Sequence, residues 1–170
     1  MPKGLKANSS TIMISGSVAE TAANTFTQAQ VDLQLNPLDN EVFVVTAINL
    51  DLQSPDAVAA TNTQLRGSLS TTSLTTFGSI SQSQVMAAGR LDIRAAGFVD
   101  GGVPFDVMAG ETPTGDLDYV AIIATNDFFA QIEGANNAAA KSMAYRVYGY
   151  RAKADASTYA ALVQSEVLSS

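Results

Sequence analysis

The sequence predicts an all-β fold, an antiparallel β-sandwich of the jelly-roll type with about eight strands and a short C-terminal helix. Three observations carry this. Short runs rich in Val, Ile, Tyr and Phe recur along the chain, each bounded by Gly, Asn, Asp or Pro, which is how strands punctuated by turns read. Apolar residues alternate with polar ones in most of these runs, the period of a half-buried strand. Helical spacing sets in only near the end, where Tyr159, Leu162, Val163, Glu166 and Val167 fall on one stripe.

The first ten residues are polar and predict a mobile arm, 11–153 the sandwich, and 154–170 the helical tail. Ile12, Ile14 and Val18 take the even positions of a first strand, with Gly16 marking a place for a bulge. After a turn over 20–24, Val31, Leu33 and Leu35 alternate with Gln30, Asp32 and Gln34. Asn36 to Asn40 contains Pro37 and Asp39, which is turn chemistry.

The run from Glu41 to Gln53 is the longest strand candidate. Its even positions, Val42, Val44, Ile48, Leu50 and Leu52, define one face. Phe43 and Val45 interrupt the polarity of the other face, which makes them candidates for a subunit contact or marks of a partly covered sheet. Ser54-Pro55-Asp56 ends the strand. Leu65, Gly67 and Leu69 alternate next, and the Ser/Thr-rich residues that follow to Phe77 read as an edge or outward strand, or as one paired with another subunit. Ser83 to Gly89 reads as one or two helical turns, stopped by the glycine. Leu91, Ile93 and Ala95 alternate again, and 97–116 is a long connection within which Phe105 and Val107 form a short strand.

Three strands close the chain between Leu117 and Arg151. The last carries three tyrosines and two arginines: Tyr145, Val147 and Gly149 face one way, Arg146, Tyr148 and Tyr150 the other. Arg and Tyr favour protein interfaces, so Arg146, Tyr148 and Tyr150 are contact candidates; surface stacking and a strip for sugar rings are the other readings. Asp155 is placed to cap the final helix. That helix is marginal alone and docks on its own sandwich, the preferred reading, or on a neighbour, so Tyr159, Leu162, Val163 and Val167 complete the contact candidates.

The chain of 170 residues contains no His, Cys or Trp. Disulfides, cysteine–histidine zinc sites and His- or Cys-based nucleophilic catalysis therefore cannot be built from it. Glycine-rich phosphate fingerprints are missing too. Asp116 and Asp118 form the nearest carboxylate pair for glycoside chemistry, but two solvated acids at a strand start is the plainer reading, and an enzyme is not expected. No cofactor is expected; calcium suits the oxygen ligands best, from Asp100 with Asp106 or from Asp39, Asn40 and Glu41. Nine basic residues against a net charge of −7 leave little for direct nucleic-acid contact. The Met-Pro-Lys-Gly-Leu-Lys start lacks the apolar segment of a signal peptide, and no run has transmembrane length, so a soluble protein made in the cytoplasm is expected. Charged residues are only 15% of the chain. Its neutral polar surface costs less to desolvate than an ionic one when a neighbour covers it.

The ending Tyr145-Arg-Val-Tyr-Gly-Tyr-Arg-Ala152 followed by a helical tail, the stretch Ile122-Ile-Ala-Thr-Asn-Asp-Phe-Phe-Ala-Gln-Ile-Glu-Gly134 as a penultimate strand pair, and the Ser/Thr-rich, low-charge sandwich ahead of them resemble the single-jelly-roll major capsid proteins of tailless icosahedral viruses, particularly membrane-containing ones. The resemblance implies a virion protein synthesised in the host cytoplasm that assembles with copies of itself into capsomers, contacts other capsid proteins, and has no catalytic residues. The missing basic arm suits a shell separated from the genome by a lipid layer or another protein. A carbohydrate-binding or adhesin-like sandwich, with or without calcium, is the alternative.

Overall fold

The structure, a computed structural model, describes residues 2–95, 97, 99–109 and 117–169. Among these residues ten strands and one α-helix form two antiparallel sheets. The strands are β1 (Leu5–Ala7), β2 (Ile12–Ala19), β3 (Thr27–Asp32), β4 (Glu41–Leu52), β5 (Thr63–Ser70), β6 (Val85–Arg94), β7 (Val103–Ala109), β8 (Ala121–Ile123), β9 (Asp127–Ala135) and β10 (Ser142–Ala154), and helix α1 spans Ala156–Ser169.

The pairing is nested. β2 pairs with β10, β3 with β9, β4 with β8, and β5 with β6. A chain paired this way is one long hairpin rolled up on itself, which is the jelly roll. Rolling places β2, β10, β4 and β8 side by side in one sheet and β3, β9, β5 and β6 in the other. β1 extends the first sheet by pairing with the end of β10, and β7 extends the second as its outermost strand. These two additions bring the strands to ten where the sequence predicts about eight.

The inner faces enclose one core, in which Phe43, Ile48, Leu65, Leu69, Phe128, Ile132 and Met143 are almost wholly buried. Tyr145 lies edge-on to Phe128, ring centroids 6.1 Å apart. Gly16 does not mark a bulge, since the register between β2 and β10 is unbroken. It makes room instead, because a Cβ there would meet the Tyr145 ring at 2.6 Å.

Four expectations change. Residues 5–7 of the expected mobile arm are a strand, and Leu5 is buried beside α1. The Ser/Thr-rich residues after β5, expected as an edge or outward strand or one paired with another subunit, form no strand, and β5 itself is paired on both sides, by β9 and β6. The Ser/Thr-rich segment after it folds across the outer face of its sheet, where Leu74 N–H donates to Gln28 Oε1 at 2.8 Å. Beneath this cover Gln131 is fully buried; it donates to Ser70 Oγ and Gln28 Oε1 and accepts from Ser68 Oγ. Ser83 to Gly89, read as helical turns, instead leads into and forms the first half of β6; tertiary pairing to β5 and β7 outweighs the helix preference of its two alanines.

The fourth change concerns β4. Pairing with β10 runs Tyr148↔Ala47 and then Gly149↔Val45, so Thr46 is an extra residue, a β-bulge. Its hydroxyl donates to the Tyr148 carbonyl at 3.1 Å. The bulge reverses the phase of alternation. Phe43 and Val45 point into the core with Ile48 and Leu52, while Val42 and Val44 turn to the outer face. Phe43 and Val45 are 1% and 0% exposed, so they pack the interior and do not form a subunit contact.

Candidate functional site

The outer face of the β2–β10–β4–β8 sheet has two halves. One is covered by the protein's own tail. Val42, Val44, Ala152 and Ala154 form a second apolar cluster there with Leu5, and Ile122, Tyr150, Tyr159, Leu162 and Val163 pack against it. Asp155 caps the helix as the sequence predicts, its Oδ1 accepting from Thr158 N–H at 2.7 Å. That bond holds the carboxyl below its ordinary value. Burial, then Asp118, pushes the Tyr150 phenol above its usual range.

The helical stripe holds for Tyr159, Leu162, Val163 and Glu166 and fails only at Val167. Val167 is 62% exposed, and Glu166 is the buried residue of the last turns. The reason lies in the sheet. The backbone N–H groups of Ala124 and Thr125, just beyond β8, need acceptors, and the two oxygens of Glu166 supply them at 3.0 and 2.8 Å. Burial pushes the Glu166 carboxyl above its ordinary value of 4.5 and Asp127 adds to this, while the bonds from Ala124 and Thr125 oppose it.

A raised folded-state value means that the native protein binds a proton more readily than the unfolded chain. The contribution is therefore fully present below about pH 4.5 and is lost as pH rises through the raised value. Glu166→Gln, which cannot titrate, is expected to remove this component. The difference in unfolding free energy between wild type and variant should fall with rising pH across that window, by chemical denaturation at closely spaced pH values. A pH-independent difference would show that the carboxyl titrates normally.

The other half of the face is open. Here β10 runs between β2 and β4 with three residues in each cross-strand row: Ser17, Ala144, Asp51; Ser15, Arg146, Asn49; and Met13, Tyr148, Ala47. Arg146 is exposed and Tyr148 half-buried. Met13 is 52% exposed. A shallow depression of about 470 Å³ lies over the first two rows, lined by Ser15, Asn49, Asp51, Ala144 and Arg146 with the backbone of Gly16 and Tyr145. Among the described residues Arg146 has no carboxylate partner within ion-pair distance, whereas Arg66, Arg90, Arg94 and Arg151 all have one. The result is a flat, mostly neutral surface of small side chains with one free guanidinium, a tyrosine and a methionine.

The strand order accounts for how the contact candidates divide. Arg146 and Tyr148 come together on the open half, and Tyr150 lies at its border with the helix. Tyr159, Leu162 and Val163 are turned inward on the chain's own sheet, as own-domain docking requires. Val167 faces away from it. Asp116 lies outside the described residues, and Asp118 is exposed. Of the acids considered for calcium, Asp39 is paired with Lys153 and Glu41 with Arg151, while Asp100 and Asp106 are exposed around and within β7.

In sequence, the chain matches no known protein family and no curated protein. No helix among the described residues is long and apolar enough to cross a membrane. Sequence reasoning missed Met13, which joins Tyr148 only through the β2–β10 register. It also missed the stripe Val103, Phe105 and Val107, whose period-two spacing was legible but whose exposed face was not.

Proposed function

We propose that this protein is a structural subunit that assembles with copies of itself, a shell-forming coat protein of the single-jelly-roll kind acting through symmetric contacts rather than catalysis. The observation that carries the reading is the open half of the β2–β10–β4 face, where Arg146, Tyr148 and Met13 stand uncovered on a floor of Ser15, Ser17 and Ala144. Small neutral side chains lose little on desolvation. An arginine and a tyrosine projecting from such a floor are the residue types that anchor protein contacts. The jelly-roll order is in keeping with the resemblance to viral coat proteins, and with it a place in the virion, against further capsid proteins or an underlying lipid layer.

The depression beside Arg146 favours a second reading. Asn49, Asp51 and Arg146 present hydrogen-bonding groups next to the Tyr148 ring, which would suit a sugar, so a carbohydrate-binding module is the alternative.

The mass of the native protein by light scattering, with electron micrographs of the same fraction, separates the two. Closed particles or regular rings are expected. Arg146→Ala with Tyr148→Ala should then reduce the assembled fraction at least tenfold while leaving the melting temperature within about 3 °C, since both changes lie on the surface. A monomer of 17.7 kDa that persists across salt and calcium concentrations would overturn the assembly reading, and glycan binding by that monomer would establish the alternative.

A further inference from the structure

A second surface, on the other sheet, has a built-in polarity. Among the described residues β7 is the last strand there, and Val103, Phe105 and Val107 all point outward from it, 44%, 52% and 49% exposed. In register, Arg94 lies beside Val103, Asp92 beside Phe105 and Arg90 beside Val107. Asp92 is 4% exposed and lies between both arginines, accepting a hydrogen bond from Arg94 at 3.2 Å and standing 3.1 Å from Arg90 Nε in an ion pair without hydrogen-bond geometry. Both guanidinium groups are thus drawn to one buried carboxylate along the strand, with about half of each side chain still open. An exposed apolar strip rimmed by half-open arginines has the composition of an interface core with its polar rim.

The opposite margin of the same sheet has the complementary charge. β3 and β9 contain no lysine or arginine. Asp32 and Asp127 stand opposite each other at their ends, on the outer face. Strand addition is a poor way to cover β7, because Pro104 removes a backbone donor from the edge. Side-chain contact is the way left open.

We propose that the β7 margin, with Phe105 at its centre and Arg90 and Arg94 at its rim, receives the Asp32–Asp127 margin of a second copy of this chain. The inference rests on the assembly reading above and adds the pair of surfaces that meet. Joining one margin to the other is a head-to-tail contact, the kind that generates rings where the rotation closes and open filaments where it does not, rather than isolated dimers.

Charge reversal tests it, with assembly followed by light scattering and folding by circular dichroism and melting. Asp127 is the acid to change, because its carboxylate accepts from the Gln30 side chain, whereas Asp32 Oδ1 accepts from both Gln34 N–H, a backbone group of its own turn, and Asn126 Nδ2. Arg90→Glu with Arg94→Glu is expected to lower the assembled fraction at least tenfold, Asp127→Lys to lower it several-fold, and a chain carrying all three changes to recover most of the loss. Wild-type assembly that neither reversal disturbs, or two losses that the combined chain does not repair, would overturn this contact and leave the assembly reading standing. A wild-type monomer would remove both.

Discussion

Phe128→Ala is expected to lower stability by about 3–5 kcal/mol, a large share of what a domain of this size possesses. Phe128 is 0% exposed at the centre of the inter-sheet core, and it is the ring against which Tyr145 sets its edge. Truncation removes the buried ring surface and leaves a cavity, since both sheets are held by their ladders and cannot close over it. For a chain of this length the melting temperature should fall by about 10 °C. The neighbouring Phe129 is the internal control. It points to the outer face and is only half-buried, so Phe129→Ala should cost about 1 kcal/mol. Similar losses for the two variants would mean that the strand phase of β9 is wrong, and with it the assignment of inner and outer faces on its whole sheet.

That pair of phenylalanines also shows what the sequence can reveal. Alternation decides which of two adjacent residues is buried wherever a strand is regular, and over β10 and from the end of β3 to Leu35 it does so correctly. The Asp155 cap and the turn at Asn36–Asn40 are legible for the same local reason: their signals are the residues' own hydrogen bonds. Asn36 Oδ1 accepts from Leu38 N–H and Asn40 adopts a left-handed backbone.

What could not be read depends on partners distant in sequence. Thr46 carries no mark of a bulge, yet it reverses the phase of everything before it in β4 and sends Phe43 and Val45 inward. The alanines at 87 and 88 favour a helix until β5 and β7 take up their backbone groups. Glu166 and Val167 both fall on the predicted stripe, but only one of them is buried. Hydrophobicity selects the valine, but two unpaired N–H groups at Ala124 and Thr125 select the glutamate. The candidate site follows the same division. Arg146 and Tyr148 on one face are legible from alternation, whereas Met13 beside them and the acid and arginine margins of the other sheet exist only once strands distant in sequence are paired.

The bulge gives the other large effect, and its sign is the reverse of what propensity predicts. Alanine is the better residue in a regular strand, by up to about 1 kcal/mol over glycine, so Gly149→Ala would be neutral or stabilising if β10 were ordinary there. Gly149 instead pairs with Val45 where the register shifts. A Cβ on it would collide with the carbonyl oxygen of Val44 and stand 2.7 and 2.8 Å from the Phe43 ring. Phe43 is itself locked in the core, and the carbonyl belongs to the central β4–β10 ladder, so neither can withdraw cheaply. Overpacking of this kind costs about 3 kcal/mol, which exceeds the propensity gain. Chemical denaturation should therefore show Gly149→Ala destabilised by about 2–3 kcal/mol net. Combining it with Phe43→Leu separates the two collisions. Shortening the ring relieves one, and the carbonyl contact remains, so the double variant should stay clearly below Phe43→Leu alone. Equal stability of those two would locate the whole strain in the ring and show that the bulged strand yields at Thr46.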